Sequence, residues 1–162
     1  LERLLGRSIN ISYKWPNDLL LNKKKIGGTL REAGLDQETQ MVWVGVGFGL
    51  NLKHSPSMTF FPATSIKDET GLEPEIEDVV ELYLNNLSQL YCRWQNNGFE
   101  PVRKEWLSYG HSLNDTLRIK LGKEEIVGSF RDLDEKGTLV IETNHELHYI
   151  SAGDVYFLPT RE

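Results

Sequence analysis

Lys14-Trp15-Pro16-Asn17-Asp18 sets a lone ammonium at a bend between two apolar segments, an arrangement suited to an anionic ligand. The preceding Ile9-Asn10-Ile11-Ser12-Tyr13 alternates apolar and polar residues, the period of a half-buried strand. Pro16 biases Trp15 out of helical backbone, so Lys14 is expected at a strand end. Joining two anionic reactants brings like charges together before any bond forms. An ammonium between them reverses the sign of the interaction: at an effective dielectric near 20, one pair of charges at ~4 Å is worth about 4 kcal/mol, against about 1 in water. Trp15 and Pro16 can limit water access and rotamer freedom, leaving the charge aimed in advance. The plain alternative is a surface lysine beside a turn.

Other residues carry two readings each. Asn17 and Asp18 either close the turn on nearby backbone amides, or hold Lys14 and offer oxygen ligands to a hard cation that accompanies an anion. Gly27 and Gly28 interrupt an apolar strand, which marks a bulge or a place where another group closely approaches the backbone. Gly45, Gly47 and Gly49 recur at period two and strip one sheet face of side chains, for a close-packed helix or for a ligand. Their spacing is not the dinucleotide fingerprint, and no helix follows. Lys23-Lys24-Lys25 reads as a solvated hairpin turn. The four histidines offer no metal-ligand spacing, His54 and His111 falling in loops and His145 and His148 in a hairpin. Cys92 lies in a helical pattern and is expected as a buried or partly buried structural thiol.

These residues need elements to position them. Leu1 to Leu5 reads as the last turns of a helix stopped by Gly6. Beginning inside a helix, without a cap or a methionine, the chain is expected to be cut from a longer one. Strands are expected at about Ile9 to Lys14, Leu19 to Leu21, Ile26 to Gly34 and Met41 to Phe48, and a short helix over Ala63 to Thr70. From Glu75, the positions Ile76, Val79, Val80, Tyr83, Leu87, Leu90, Tyr91 and Trp94 form an amphipathic stripe, expected to pack in the core. A second helix spans Pro101 to Tyr109. After Gly110 come short strands at Leu117 to Leu121, Glu125 to Leu133, Thr138 to Glu142, Leu147 to Ser151 and Val155 to Leu158, separated by hairpin turns. The expected fold is α+β: a mostly antiparallel sheet packed with helices over residues 1–112, then a small β-barrel over 113–162.

At 162 residues and 39% hydrophobic content the chain can bury a core. A formal charge of −6 disfavours general nucleic-acid binding. No apolar run approaches the roughly 20 residues of a membrane helix, and no secretory leader is visible. A cytoplasmic location is expected, in keeping with the single cysteine.

Lys14-Trp15-Pro16-Asn17-Asp18, the basic hairpin, Ile26-Gly27-Gly28 and Gly47-Phe48-Gly49-Leu50-Asn51, in that order, resemble the second half of the catalytic domain of the biotin–protein ligases. Asp115 to Leu158 resembles the SH3-like barrel that ends many of them. The resemblance implies activation of biotin by ATP to biotinyl-5′-AMP, then transfer to a lysine of biotin carboxyl carrier protein, with Mg²⁺ accompanying the nucleotide. It implies that Lys14 contacts both the biotin carboxylate and the phosphate, that Gly27 and Gly28 border biotin, that Asn17 and Asn51 face the nucleotide, and that the lysine run is a positive rim. A homodimer is compatible with it. The glycine- and arginine-rich phosphate loop that precedes the pentapeptide in the family is absent here, so this chain alone is expected to be inactive. Leu158 stands where many members carry a basic residue, which argues against a barrel contact with ATP. A lipoate or octanoyl ligase, and a non-catalytic biotin-binding or interaction module, are the alternatives.

Overall fold

A computed structural model describes residues 5, 6, 8–57, 59 and 61–157. The expectations for Leu1 to Leu4, Arg7 and Leu158 lie outside them. Four strands, β1 (Ile11–Lys14), β2 (Asp18–Leu21), β3 (Lys24–Leu35) and β4 (Val42–Leu50), form an antiparallel sheet in the order β1-β2-β3-β4. The β2–β3 turn is Asn22-Lys23, with φ of 50° and 63°, the left-handed pair that matches hairpin twist. Between Leu19↔Gly27 and Leu20↔Lys25 the register slips, so Ile26 is the extra residue of a bulge beside the glycine pair.

Three helices follow: α1 (Ile66–Thr70), α2 (Ile76–Asn97) and α3 (Glu100–Tyr109). α1 begins three residues later than expected because Ser65 caps it, its hydroxyl accepting the Asp68 N–H at 3.0 Å. The apolar stripe of α2 does not become core. Of its residues Val79 is buried, while Ile76, Val80, Leu87, Tyr91 and Trp94 are exposed. The helix meets the sheet where Tyr83 stacks on Phe48, ring centroids 4.6 Å apart, and most of its apolar face has no cover among the described residues. Cys92 is likewise exposed rather than buried, because its helix is.

The remaining strands are β5 (Thr116–Leu121), β6 (Glu124–Leu133), β7 (Leu139–Thr143), β8 (Glu146–Ile150) and β9 (Asp154–Phe157), in an antiparallel sheet ordered β8-β7-β6-β5-β9. Leu117, Ile119, Phe130, Leu133, Leu139, Ile141, Ile150 and Val155 pack into one core, so every strand contributes. At roughly 25 cal/mol per Å² of apolar surface removed from water, this is the best stabilised part of the chain. Trp15, in the bend between β1 and β2, completes that core. Arg103 fastens α3 to β6, donating to the Leu133 carbonyl at 2.6 Å and pairing with Asp132. The fold is α+β, as expected.

Candidate active site

β1 ends at Lys14, directly opposite Asp18 across the bend. Side chains at opposed positions share a face, and the Lys14 ammonium sits 2.6 Å from Asp18 Oδ2. Asp18 Oδ1 is paired with Lys25. Lys14 is 7% exposed; its Nζ also donates to the Val155 carbonyl of β9 at 3.1 Å and lies 5.2 Å from the centre of the Phe61 ring. Two ammonium groups thus share one carboxylate, which leaves a positive charge for an incoming anion. The charge is also held in position, since one acceptor comes from each sheet.

Trp15, 4% exposed, reaches the other way. Its indole N–H donates to Gly137 O at 3.1 Å and its main-chain N–H to His111 Nε2 at 3.2 Å. His111 is therefore a central residue rather than a loop bystander. Buried among the rings of Trp106, Phe130 and Phe157, it is held down to about 4, chiefly by burial and then by the Lys14 charge.

The glycines divide into two groups. A Cβ on Gly27 would lie 2.4 Å from Gly49 O, and one on Gly28 would lie 3.1 Å from Asn17 O. Both are glycine because neighbouring backbone needs the space. At Gly45, Gly47 and Gly49 the nearest atoms to an added Cβ are 3.7, 3.9 and 4.0 Å away, so their face is open. Phe48 alternates with them and points to the opposite face, where Tyr83 of α2 stacks on it. The helix packs on the side-chain-bearing face, not on the glycines.

That open face floors a cleft of about 870 Å³, walled by Lys14, Lys25, Gly28, Phe61 and, from β9, Asp154 and Tyr156. Asn17 and Asn51 also border it. The side-chain amide of Asn17 donates to Thr29 O at 2.7 Å, and that of Asn51 to Thr64 O at 3.0 Å, so both brace the wall they stand in. The lysine run splits: Lys23 occupies the turn, Lys24 pairs with Glu69, and Lys25 lines the cleft. The three Glu69 contacts, from Lys24, Asn22 and Thr64, hold its carboxyl down to about 2.

Among the described residues no three His, Cys, Asp or Glu side chains cluster as a metal cage. Asp18 has both oxygens engaged by ammonium groups, so the cleft does not fit a resident divalent ion. No described helix is long and apolar enough to cross a membrane. The lysine run read as a solvated hairpin turn, with a positive rim implied only by the resemblance, and nothing in the sequence marked Val155, Asp154 and Tyr156, because β9 reaches the cleft from over a hundred residues away.

Residues 4–108 match the biotin/lipoate A/B protein ligase family and residues 113–158 match the biotin protein ligase C-terminal domain. The chain belongs to the biotin/lipoate A/B protein ligase family. It is 32% identical over 162 aligned residues to the biotin–[acetyl-CoA-carboxylase] ligase of Paracoccus denitrificans, covering 94% of this chain and 65% of that protein. To the bifunctional ligase/repressor BirA of Bacillus subtilis it is 28% identical, covering 91% of this chain and 46% of that one. The chain therefore spans about half to two thirds of the length of these relatives. The apo biotin protein ligase of Aquifex aeolicus superposes with a TM-score of 0.80 at 25% identity, covering 97% of this chain and 69% of that one. The same enzyme in complex with biotin and ATP gives 0.78 at 25% identity.

Proposed function

We propose that this chain belongs to a biotin–protein ligase that activates biotin with ATP and transfers it to a lysine of a biotin carboxyl carrier protein. The observation that carries the reading is the Lys14 ammonium, buried and fixed at the head of a side-chain-free trough. In this reading the biotin rings lie over the face of Gly47 and Gly49, bordered by Gly27 and Gly28, and the carboxylate reaches Lys14. The carboxylate oxygen attacks the α-phosphorus of ATP, pyrophosphate leaves, and Lys14 offsets the charge that builds between them. Lys25 adds a second cation at the rim. Asn17 and Asn51 have spent an amide hydrogen on the wall, which leaves each carbonyl oxygen to accept from a nucleotide donor such as an adenine amino group. Mg²⁺ enters on the ATP phosphates and keeps several waters. In the second step the carrier lysine, unprotonated, attacks the mixed anhydride and AMP departs.

The reading divides the chain into a catalytic portion over residues 1–112 and an SH3-like unit over 113–162, placed in the cytoplasm where ATP and carrier are found. It also allows pairing of two copies into a homodimer. The biotin-specific second match favours biotin over lipoate as the acid, and competition between the two acids separates them.

The test is Lys14→Ala in the complete ligase. ATP–pyrophosphate exchange is expected to fall by at least about 10²-fold with the circular dichroism spectrum unchanged. Exchange within about threefold of wild type overturns the assignment.

A further inference from the structure

We propose that His111 is a positioning residue for Lys14, acting through the main-chain amide of Trp15. The β1 ladder ends with Lys14↔Asp18, so the Trp15 N–H has no strand partner and, being buried, must find one elsewhere. It finds His111 Nε2 at 3.2 Å. Because the peptide unit is planar, fixing that N–H fixes the plane of the Lys14–Trp15 peptide and with it the direction in which the Lys14 side chain leaves the backbone. The ammonium is held at its far end by Asp18 and Val155. His111 supplies the near end.

The chemistry of the imidazole supports this role over plain packing. Nε2 accepts from Trp15, so Nδ1 carries the hydrogen, and Nδ1 is buried with no partner among the described residues. A phenylalanine would fill the same box of Trp106, Phe130 and Phe157 without that orphan donor. What a phenylalanine lacks is the acceptor aimed at Trp15. The groups that face the ring are Lys14 from β1 and uncharged aromatic rings from α3, β6 and β9. Both burial and the Lys14 charge keep the imidazole neutral, the state in which it can accept.

The catalytic readout rests on the ligase reading, so the experiment carries a second readout that does not. His111→Phe removes the acceptor and fills the box; His111→Gln restores a carbonyl acceptor. In ATP–pyrophosphate exchange by the complete ligase, His111→Phe is expected to lower kcat about tenfold or more, with KM for biotin and ATP within about threefold and His111→Gln close to wild type. Unchanged kcat in His111→Phe, or equal losses in both variants, overturns the proposal. In parallel, the Lys14 ¹³Cε resonance is expected to shift in His111→Phe and to keep its place in His111→Gln. Should no protein exchange pyrophosphate, the ligase reading fails and this resonance alone decides: unmoved in both variants, it overturns the positioning role. Should His111→Phe fail to fold, acid titration of the wild type replaces it, and a Lys14 resonance that ignores protonation of His111 overturns the proposal.

Discussion

Asp18 is the hinge of the charge arrangement, since each of its oxygens holds a different ammonium. Asp18→Asn would remove the charge that balances Lys14 and Lys25 and leave one amide oxygen where two carboxylate oxygens had served the two ammonium groups. Breaking a fully buried pair costs about 3–5 kcal/mol. Here the open cleft lets water in, so about 1–2 kcal/mol of stability is expected to be lost, and exchange activity should fall while biotin affinity falls less. Thermal melts and calorimetric titration check this, and an unaltered Tm would mean that Asp18 holds neither lysine tightly. His111 gives a pH prediction of definite sign. It titrates near 4 in the fold against an ordinary 6.5, so the unfolded chain takes up its proton first. The stability contribution is intact above about pH 6.5 and is lost as pH falls toward 4, by order 3 kcal/mol in all. Urea midpoints at pH 7 and 4.5 should drop more for wild type than for His111→Gln; equal drops would remove His111 as the cause. Lys14 was legible because its neighbours in the chain are its neighbours at the bend. His111 was not, since its partner lies 96 residues away and a loop histidine carries no local mark of that.

Strand β4 separates two uses of glycine that look alike in a sequence. A Cβ at Gly47 meets nothing closer than 3.9 Å and Gly47→Val gains strand propensity, so the fold should be as stable as wild type or slightly more so. The side chain would stand in the trough, and biotin binding should become undetectable by calorimetry. Retained affinity would show that the ligand lies elsewhere. Gly27→Ala, by contrast, drives a methyl against a backbone oxygen and should cost stability first. Period-two spacing revealed the bare face, but the face's occupant depended on where α2 landed. The hairpins were readable to within about two residues because Asn22-Lys23 and Asn144-His145 are left-handed turn pairs. The start of α1 was missed because the Ser65 cap sits inside a loop-like stretch.

Across the molecule, burial is uneven. The β5–β9 sheet closes over its own core, whereas Leu30 is 73% and Val42 72% exposed in the first sheet, along with Val44, Val46 and the stripe of α2. A surface of that extent favours association. This chain in isolation is expected to bind a hydrophobic dye and self-associate at micromolar concentration, and to fail to ligate biotin to a carrier domain with Mg²⁺–ATP. Dye fluorescence, sedimentation and the biotin mass increment measure the three. A monodisperse, dye-silent monomer would contradict the exposure, and ligation at the rate of a complete ligase would show that the phosphate loop is dispensable. Periodicity identified α2 as a helix with an apolar side, yet amphipathicity says which side wants cover and not whether cover is present.

The Lys14 ammonium takes one of its acceptors from Val155, 141 residues further along the chain. A ribosome adding about 5–20 residues per second needs on the order of ten seconds to bridge that interval. For all that time Lys14 exists on a nascent chain that lacks the strand that supplies this acceptor. The Lys14 anchor is therefore completed only once β9 has been made, and a message truncated before β9 would yield a product with an intact pentapeptide whose ammonium lacks that acceptor.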